Sequence, residues 1–174
     1  MRTRCYAAIA ALTMTSALAF AQAGAKPTDP QIAHIAYTAG VLDIDGAKQA
    51  LAKSKNAAVR SFAEDMVRDH TAVNKQALDL VKRLGVEPAD NDTSRSLTKQ
   101  AVAKRAELDK LSGADFDKAY MANEVAYHKT VNGALEATLI PSSANGELKA
   151  LLQTGLKIFQ GHQKHAETVV SQLK

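Results

Sequence analysis

The apolar residues of this chain recur at three- and four-residue steps, and nowhere do they alternate as a half-buried strand requires. The clearest run is Val59, Phe62, Ala63, Met66, Val73, Ala77, Leu80 and Leu84, which stack on one face of a single long helix. A stripe of this kind is buried only by other helices, so the pattern predicts an all-α bundle. His70 falls on the stripe, between Met66 and Val73. An imidazole in that position needs a hydrogen-bond partner, a counter-charge or a metal ion.

The other helices follow from their punctuation. Helix A is expected over about Pro30–Lys53, with Asp29 as N-cap and Pro30 in the first turn. Asn56 is placed to cap helix B, about Ala57–Leu84, which Gly85 ends and Pro88 keeps from resuming. So short a link makes A and B an antiparallel hairpin. A connecting helix capped by Thr93 or Ser94 is expected over about Arg95–Leu111, stopped by Ser112-Gly113. Helix C, capped by Asp115, is expected from Phe116 to Leu139 and closed by Pro141. Helix D is expected from a cap at Ser142 or Ser143 to the C-terminus. The fold class is thus four long helices with one additional connecting helix.

Five ionisable residues lie on the apolar stripes: Asp43 on A, His70 on B, Glu124 and His128 on C, and His162 on D. With a rise of about 1.5 Å per residue, all five fall near the middle of the bundle, whether its topology is up-down or crossover. Glu124 and His128 share one helix face at i and i+4. Bundles build metal sites from facing helices in this way. The site read from these residues has His70, His128 and His162 as nitrogen ligands and Glu124 and Asp43 as oxygen ligands. His165, one turn beyond His162, is a further candidate or a partly exposed histidine. Nitrogen and carboxylate donors suit one transition metal ion (Zn, Fe, Mn or Cu) better than Ca or Mg. The competing reading is a metal-free, hydrogen-bonded network of Asp, Glu and His side chains with waters, or three histidines that cap separate small gaps. Asp69 is expected to face outward or to pair with Arg68 or Lys75, and His34 to lie at the surface or pack locally.

The N-terminus reads as a secretory signal peptide. Arg2 and Arg4 precede a mostly apolar stretch from Tyr6 to Phe20, and the small residues around Ala21 and Ala23 allow cleavage after either. The expected division is a signal peptide over 1–21, a short lead-in over 22–28 and the bundle domain over 29–174. The apolar run is shorter than the about 20 residues of a membrane-spanning helix. Cys5 is the sole cysteine, so the mature chain has no thiolate or disulfide chemistry. Arg2 and Arg4 supply two of the net +4 charges, and the remaining charges are interspersed in sign. That is no footprint for nucleic acid. Trp is absent, and Met66 and Met121 alone make no thioether copper site.

Phe62-Ala63, Met66-Val67, Asp69-His70, Gly113, Phe116-Asp117, Tyr120-Met121, His128 and the closing His162 together resemble the exported bacterial proteins of domain-of-unknown-function family 4142. The likeness runs from about Asp29 to Leu173. It implies a ferritin-like four-helix bundle outside the cytoplasm; some members carry an outer-membrane label, and the family carries no agreed activity. Where the family usually has Glu in helix A, this chain has Asp43. Ferritin-like di-iron proteins carry Glu-x-x-His on two helices. Here Val67, Val125 and Phe159 stand three residues before His70, His128 and His162. The residues therefore favour a single-metal or metal-free site over a di-iron one.

Three functions compete at this point. One is a periplasmic or secreted metal-binding bundle serving metal or oxidative stress. The second is a metal-free helical interaction module with a protein partner in the cell envelope. The third is an enzyme using Glu124 or Asp43 as a proton acceptor beside histidine, which requires an open pocket at that level.

Overall fold

A computed structural model describes residues 26–173. The expected signal peptide, its expected cleavage sites and Cys5 lie outside the described residues. The elements are α1 (Asp29–Lys53), α2 (Ala57–Leu84), α3 (Asp92–Asp109), α4 (Gly113–Ala134), a π-helical segment (Leu135–Leu139), α5 (Ile140–Ser142) and α6 (Gly146–Gln172). No strand occurs among the described residues, and no helix there is long and apolar enough to cross a membrane. The all-α architecture follows the helical periodicity.

The topology is a crossover. Helices α1 and α2 form one antiparallel hairpin, and α4 and α6 form the other. The α2–α3 loop returns to the start of α1, where the Ala89 N–H donates to Pro30 O at 2.9 Å. Helix α3 then runs alongside α1 in the same direction. His34 Nδ1 meets Ser94 Oγ at 3.0 Å near its beginning. Gln49 Nε2 donates to Arg105 O at 2.9 Å and Lys53 Nζ to Asp109 O at 2.7 Å near its end. Chain direction is thereby reset, so that α4 runs parallel to α2 and antiparallel to α1.

Several caps differ from those the sequence suggests, each for a local reason. Asp29 does not cap α1. Its carboxylate accepts from the Ala144 and Asn145 backbone N–H groups at 2.9 and 2.8 Å and from Ser143 Oγ at 3.2 Å. It thereby ties the α5–α6 turn to the start of the chain's first helix, while Thr28 takes the cap position. Ser143 is occupied by this contact, and Asn145 caps α6 instead, accepting from Glu147 and Leu148 N–H at 2.9 and 3.0 Å. Asn91 caps α3 through Ser94 N–H at 3.0 Å, ahead of Thr93 and Ser94. Helix α4 starts at Gly113, before Asp115, with Ser112 in the cap position. Helix C also continues through Pro141 to Ser142. A proline lacks an N–H and crowds the carbonyl four residues earlier; the π-helical turn just before it widens the backbone and absorbs both defects. Asn56 caps α2 as its sequence indicates, and Gly85 closes it in the left-handed region at φ 63°.

The core has two apolar halves. One gathers Ala47, Ala50, Val59, Phe62, Met66, Leu108, Phe116, Tyr120, Met121 and Val169. The other gathers Ile32, Ile35, Leu42, Leu80, Leu97, Leu135, Leu139, Leu148 and Leu152. Between them lies a layer of buried ionisable side chains: Asp43, His70, Glu124, His128 and His162.

Candidate metal centre

The layer draws on all four long helices. The α1 stripe carries Asp43, α2 carries His70, α4 carries Glu124 and His128 one turn apart, and α6 carries His162. One nitrogen each from His70, His128 and His162 lie within 4.8 Å of one another, and so do atoms of Asp43, Glu124 and His128. His128 belongs to both groups. The three imidazole rings are 5.3–5.9 Å apart between centroids and mutually tilted, so they surround a common space instead of stacking.

Each ring is held by a different partner. The Nδ1 of His128 meets its own helix at Glu124 O, at 3.0 Å. A proton on that nitrogen satisfies the carbonyl and leaves Nε2 as the bare lone pair, facing Asp43 Oδ2 at 3.4 Å. His162 Nε2 lies 3.0 Å from Asp69 Oδ2, leaving its Nδ1 buried and unpartnered. A carboxylate behind a histidine in this manner fixes the tautomer and raises the basicity of the free nitrogen. The His70 ring stacks on Phe159 with centroids 4.5 Å apart and planes 6° apart. Phe159 can lie there because Gly155, one turn back, has no Cβ; one would meet the Phe159 ring at 3.3 Å.

The Asp43 side chain is wholly buried. Its Oδ2 stands 2.6 Å from His70 Nε2, yet both atoms lack a hydrogen bond. The oxygen is close but lies off the direction in which the ring N–H would point. Burial opposes ionisation of Asp43, but the neighbouring His70 and His128 outweigh it and hold this carboxyl below the ordinary carboxylate range. Glu124 goes the other way: burial, then the negative charge of Asp43, push it well above its usual value. The two acids are thus pushed in opposite directions, Asp43 toward its charged form and Glu124 toward its neutral one. Burial also pulls His128 down to about 4, against the pull of Asp43, so its imidazole is neutral at pH 7. His162 is lowered as well, by burial first, with Asp69 opposing. A neutral His128 beside a charged carboxylate is a protonation state that suits a metal ion.

Unpartnered buried atoms concentrate here: both Asp43 oxygens, both His70 nitrogens, His128 Nε2, His162 Nδ1 and Glu124 Oε2. Such atoms are costly unless something satisfies them. Their chemistry, imidazole nitrogen and carboxylate oxygen without sulfur, fits a borderline divalent ion. These buried groups can hold a metal.

Of the six sequence candidates, five converge. His165 does not join the three histidines: it is partly exposed, lies 3.6 Å from Asp65 and sets its ring edge on Phe62. Asp69 is the partner of His162 that the helical pattern does not single out. It pairs with Arg68 as expected, and the hydrogen bond from Arg68 is the main cause of its lowered pKa. The signal for its second role was its adjacency to His70, on the α2 edge that turns toward α6. Tyr127 donates to Ala39 O at 2.8 Å.

The fold also occurs elsewhere. A crystal structure of a DUF305 fragment from Deinococcus radiodurans superposes with a TM-score of 0.71 at 17% identity, covering 84% of this chain and 99% of that one. At that identity the likeness is one of fold. No curated protein matches the chain. The family model described as Domain of unknown function (DUF4142) matches residues 14–169, nearly the whole sequence, and the chain belongs to that family.

Proposed function

We propose that this protein is an exported bundle that binds one transition metal ion in its polar middle layer. The observation that carries this reading is that His70, His128 and His162 each bring a nitrogen within 4.8 Å of the others, while Asp43 and Glu124 form a second such group with His128. The three nitrogens are the donors, with the Asp43 carboxylate beside His70 and His128 as the oxygen donor. Glu124, pushed toward its neutral form by burial and by Asp43, either completes the set after losing its proton or hydrogen-bonds the bound carboxylate. Zn, Fe, Mn and Cu all suit these donors. The crossover through α3 supports a ferritin-like description of the bundle, with a single-ion centre in place of a di-iron one because Glu-x-x-His is missing.

A metal-free network bridged by water is the competing reading; the seven buried atoms of the layer without a protein partner suit either water or an ion. The interaction-module reading has less support still: the large exposed apolar residues Leu78, Val102 and Val170 lie on three different helices. The signal-like N-terminus supports a periplasmic or secreted site of action, and with it a role in metal or oxidative stress of the envelope. Element analysis of protein purified without chelator from the periplasm, followed by titration with Zn, Cu, Fe and Mn, tests the proposal. Stoichiometric binding that His70→Ala and His128→Ala each abolish is expected. Absence of any bound metal, or affinity unchanged in both variants, would remove it.

A further inference from the structure

Beside the imidazole layer, in the half of the bundle nearest the α2–α3 loop, lies a cavity of about 60 Å³. His70 and His128 stand at one end of it, and Leu78 and Pro88, both exposed, at the other. Between them the walls are almost wholly apolar, with Val73, Ala77, Val131 and Leu152 prominent among them.

Size and polarity together restrict what this space can hold. It is less than half of the roughly 150 Å³ cavity that admits benzene. A buried water needs two to four polar partners. The Tyr127 hydroxyl on the wall is already given to Ala39 O at 2.8 Å, and the Asn74 amide is turned toward Tyr37 O at 3.5 Å. Away from the two imidazoles, the walls offer water little to bond, and an apolar cavity of this kind stays dry and takes up apolar guests. Small residues maintain it: Ala36, Ala77 and Gly155 stand where larger side chains would fill the space.

We infer that this cavity is a binding site for a small uncharged apolar molecule of diatomic size, such as dioxygen, held against the imidazoles of His70 and His128. An ion in the layer would then meet this guest from the cavity side, while water is kept from that approach. The guest's destination rests on the metal reading; the cavity is a property of the metal-free fold and can be tested without it.

The test is xenon. Crystals of metal-free protein pressurised with xenon should show one site between Val73, Ala77, Leu152 and Gly155. Ala77→Phe, which fills the space, and Ala77→Leu, a milder filling if the first variant folds poorly, should each abolish that site while leaving metal affinity within about twofold. On the iron(II)-loaded protein, nitric oxide binding followed by stopped flow should slow at least tenfold in the same variants. An empty or water-filled cavity under xenon, with metal binding intact, would overturn the inference and spare the metal centre. Xenon bound in a protein that takes no metal would support the cavity and remove the centre.

Discussion

Oδ2 of Asp43 faces two imidazole nitrogens from two other helices, His70 Nε2 at 2.6 Å and His128 Nε2 at 3.4 Å, and hydrogen-bonds neither. One charged oxygen that faces two ring nitrogens and bonds neither is an arrangement that a shared cation resolves. Asp43→Asn keeps the shape and removes the charge. Metal affinity measured by calorimetric titration should fall by more than about 100-fold, beyond what loss of an outer partner causes, with the circular dichroism of the bundle unchanged.

Asp69 acts on the centre through His162. Asp69→Asn should lower metal affinity by about 10- to 100-fold, the usual effect of losing a carboxylate behind a metal-bound histidine. Arg68 touches Asp69 but not His162 and is largely exposed. Arg68→Ala should therefore leave affinity nearly unchanged, and equal losses in both variants would contradict the assignment.

Metal should stabilise the fold by mass action. At a free ion concentration about 1,000 times Kd the gain is about 4 kcal/mol, which for a domain of this size raises Tm by roughly 10 °C. Differential scanning calorimetry with and without a chelator measures it. The shift should vanish in His128→Ala, whereas a Tm indifferent to metal in the native protein would argue against ligation in the core.

The metal-free protein should show opposing pH limbs. His128 is lowered from 6.5 to about 4, so between those values the unfolded chain binds more protons than the folded one. Its contribution is full above about 6.5 and is lost as pH falls toward 4. Glu124 has the opposite sign: its raised pKa means that stability falls as pH rises above its ordinary 4.5. Asp43 adds a limb at lower pH still, lost as pH drops below its ordinary 3.8. Glu124→Gln isolates the histidine limb, and the urea midpoint of that variant should fall steadily from pH 6.5 to pH 4. A flat midpoint across this range would show that His128 is not held neutral by burial.

Gly40 fits α1 against α2. A Cβ there would lie 2.3 Å from Asn74 Oδ1, and Asn74 is buried against the Tyr37 carbonyl. Gly40→Ala should destabilise the protein by about 1–3 kcal/mol, as overpacking does, despite the better helix propensity of alanine. Asn74→Ala should rescue the loss when combined with it, read as the urea midpoint of the double variant.

The helices and the inward facing of Asp43, His70, Glu124, His128 and His162 were legible because both depend on local spacing along one helix. The caps were less so. Asp29 and Ser143 have the chemistry of N-caps, but they bind each other across the bundle, and the helices start from Thr28 and Asn145. Pro141 reads as a stop, yet a π-helical turn carries the helix past it. Asp69 sits beside the stripe and reads as a surface acid; only the approach of α6 turns it into the partner of His162. The crossover was likewise out of reach, since mid-bundle depth is the same in either topology. What sequence spacing misses, in each case, is competition from a distant segment for the same polar atom.

The division of the core by a sheet of ionisable groups also bears on alignment during folding. A slide of α2 by one turn would set Met66 or Asn74 opposite Asp43 in place of His70, leaving a charge facing a thioether or an amide. The greasy layers above and below tolerate such a shift far better, because one aliphatic side chain substitutes for another. The middle layer thus works as a vernier: it makes a single mutual setting of the four rods lower in energy than its neighbours one notch away.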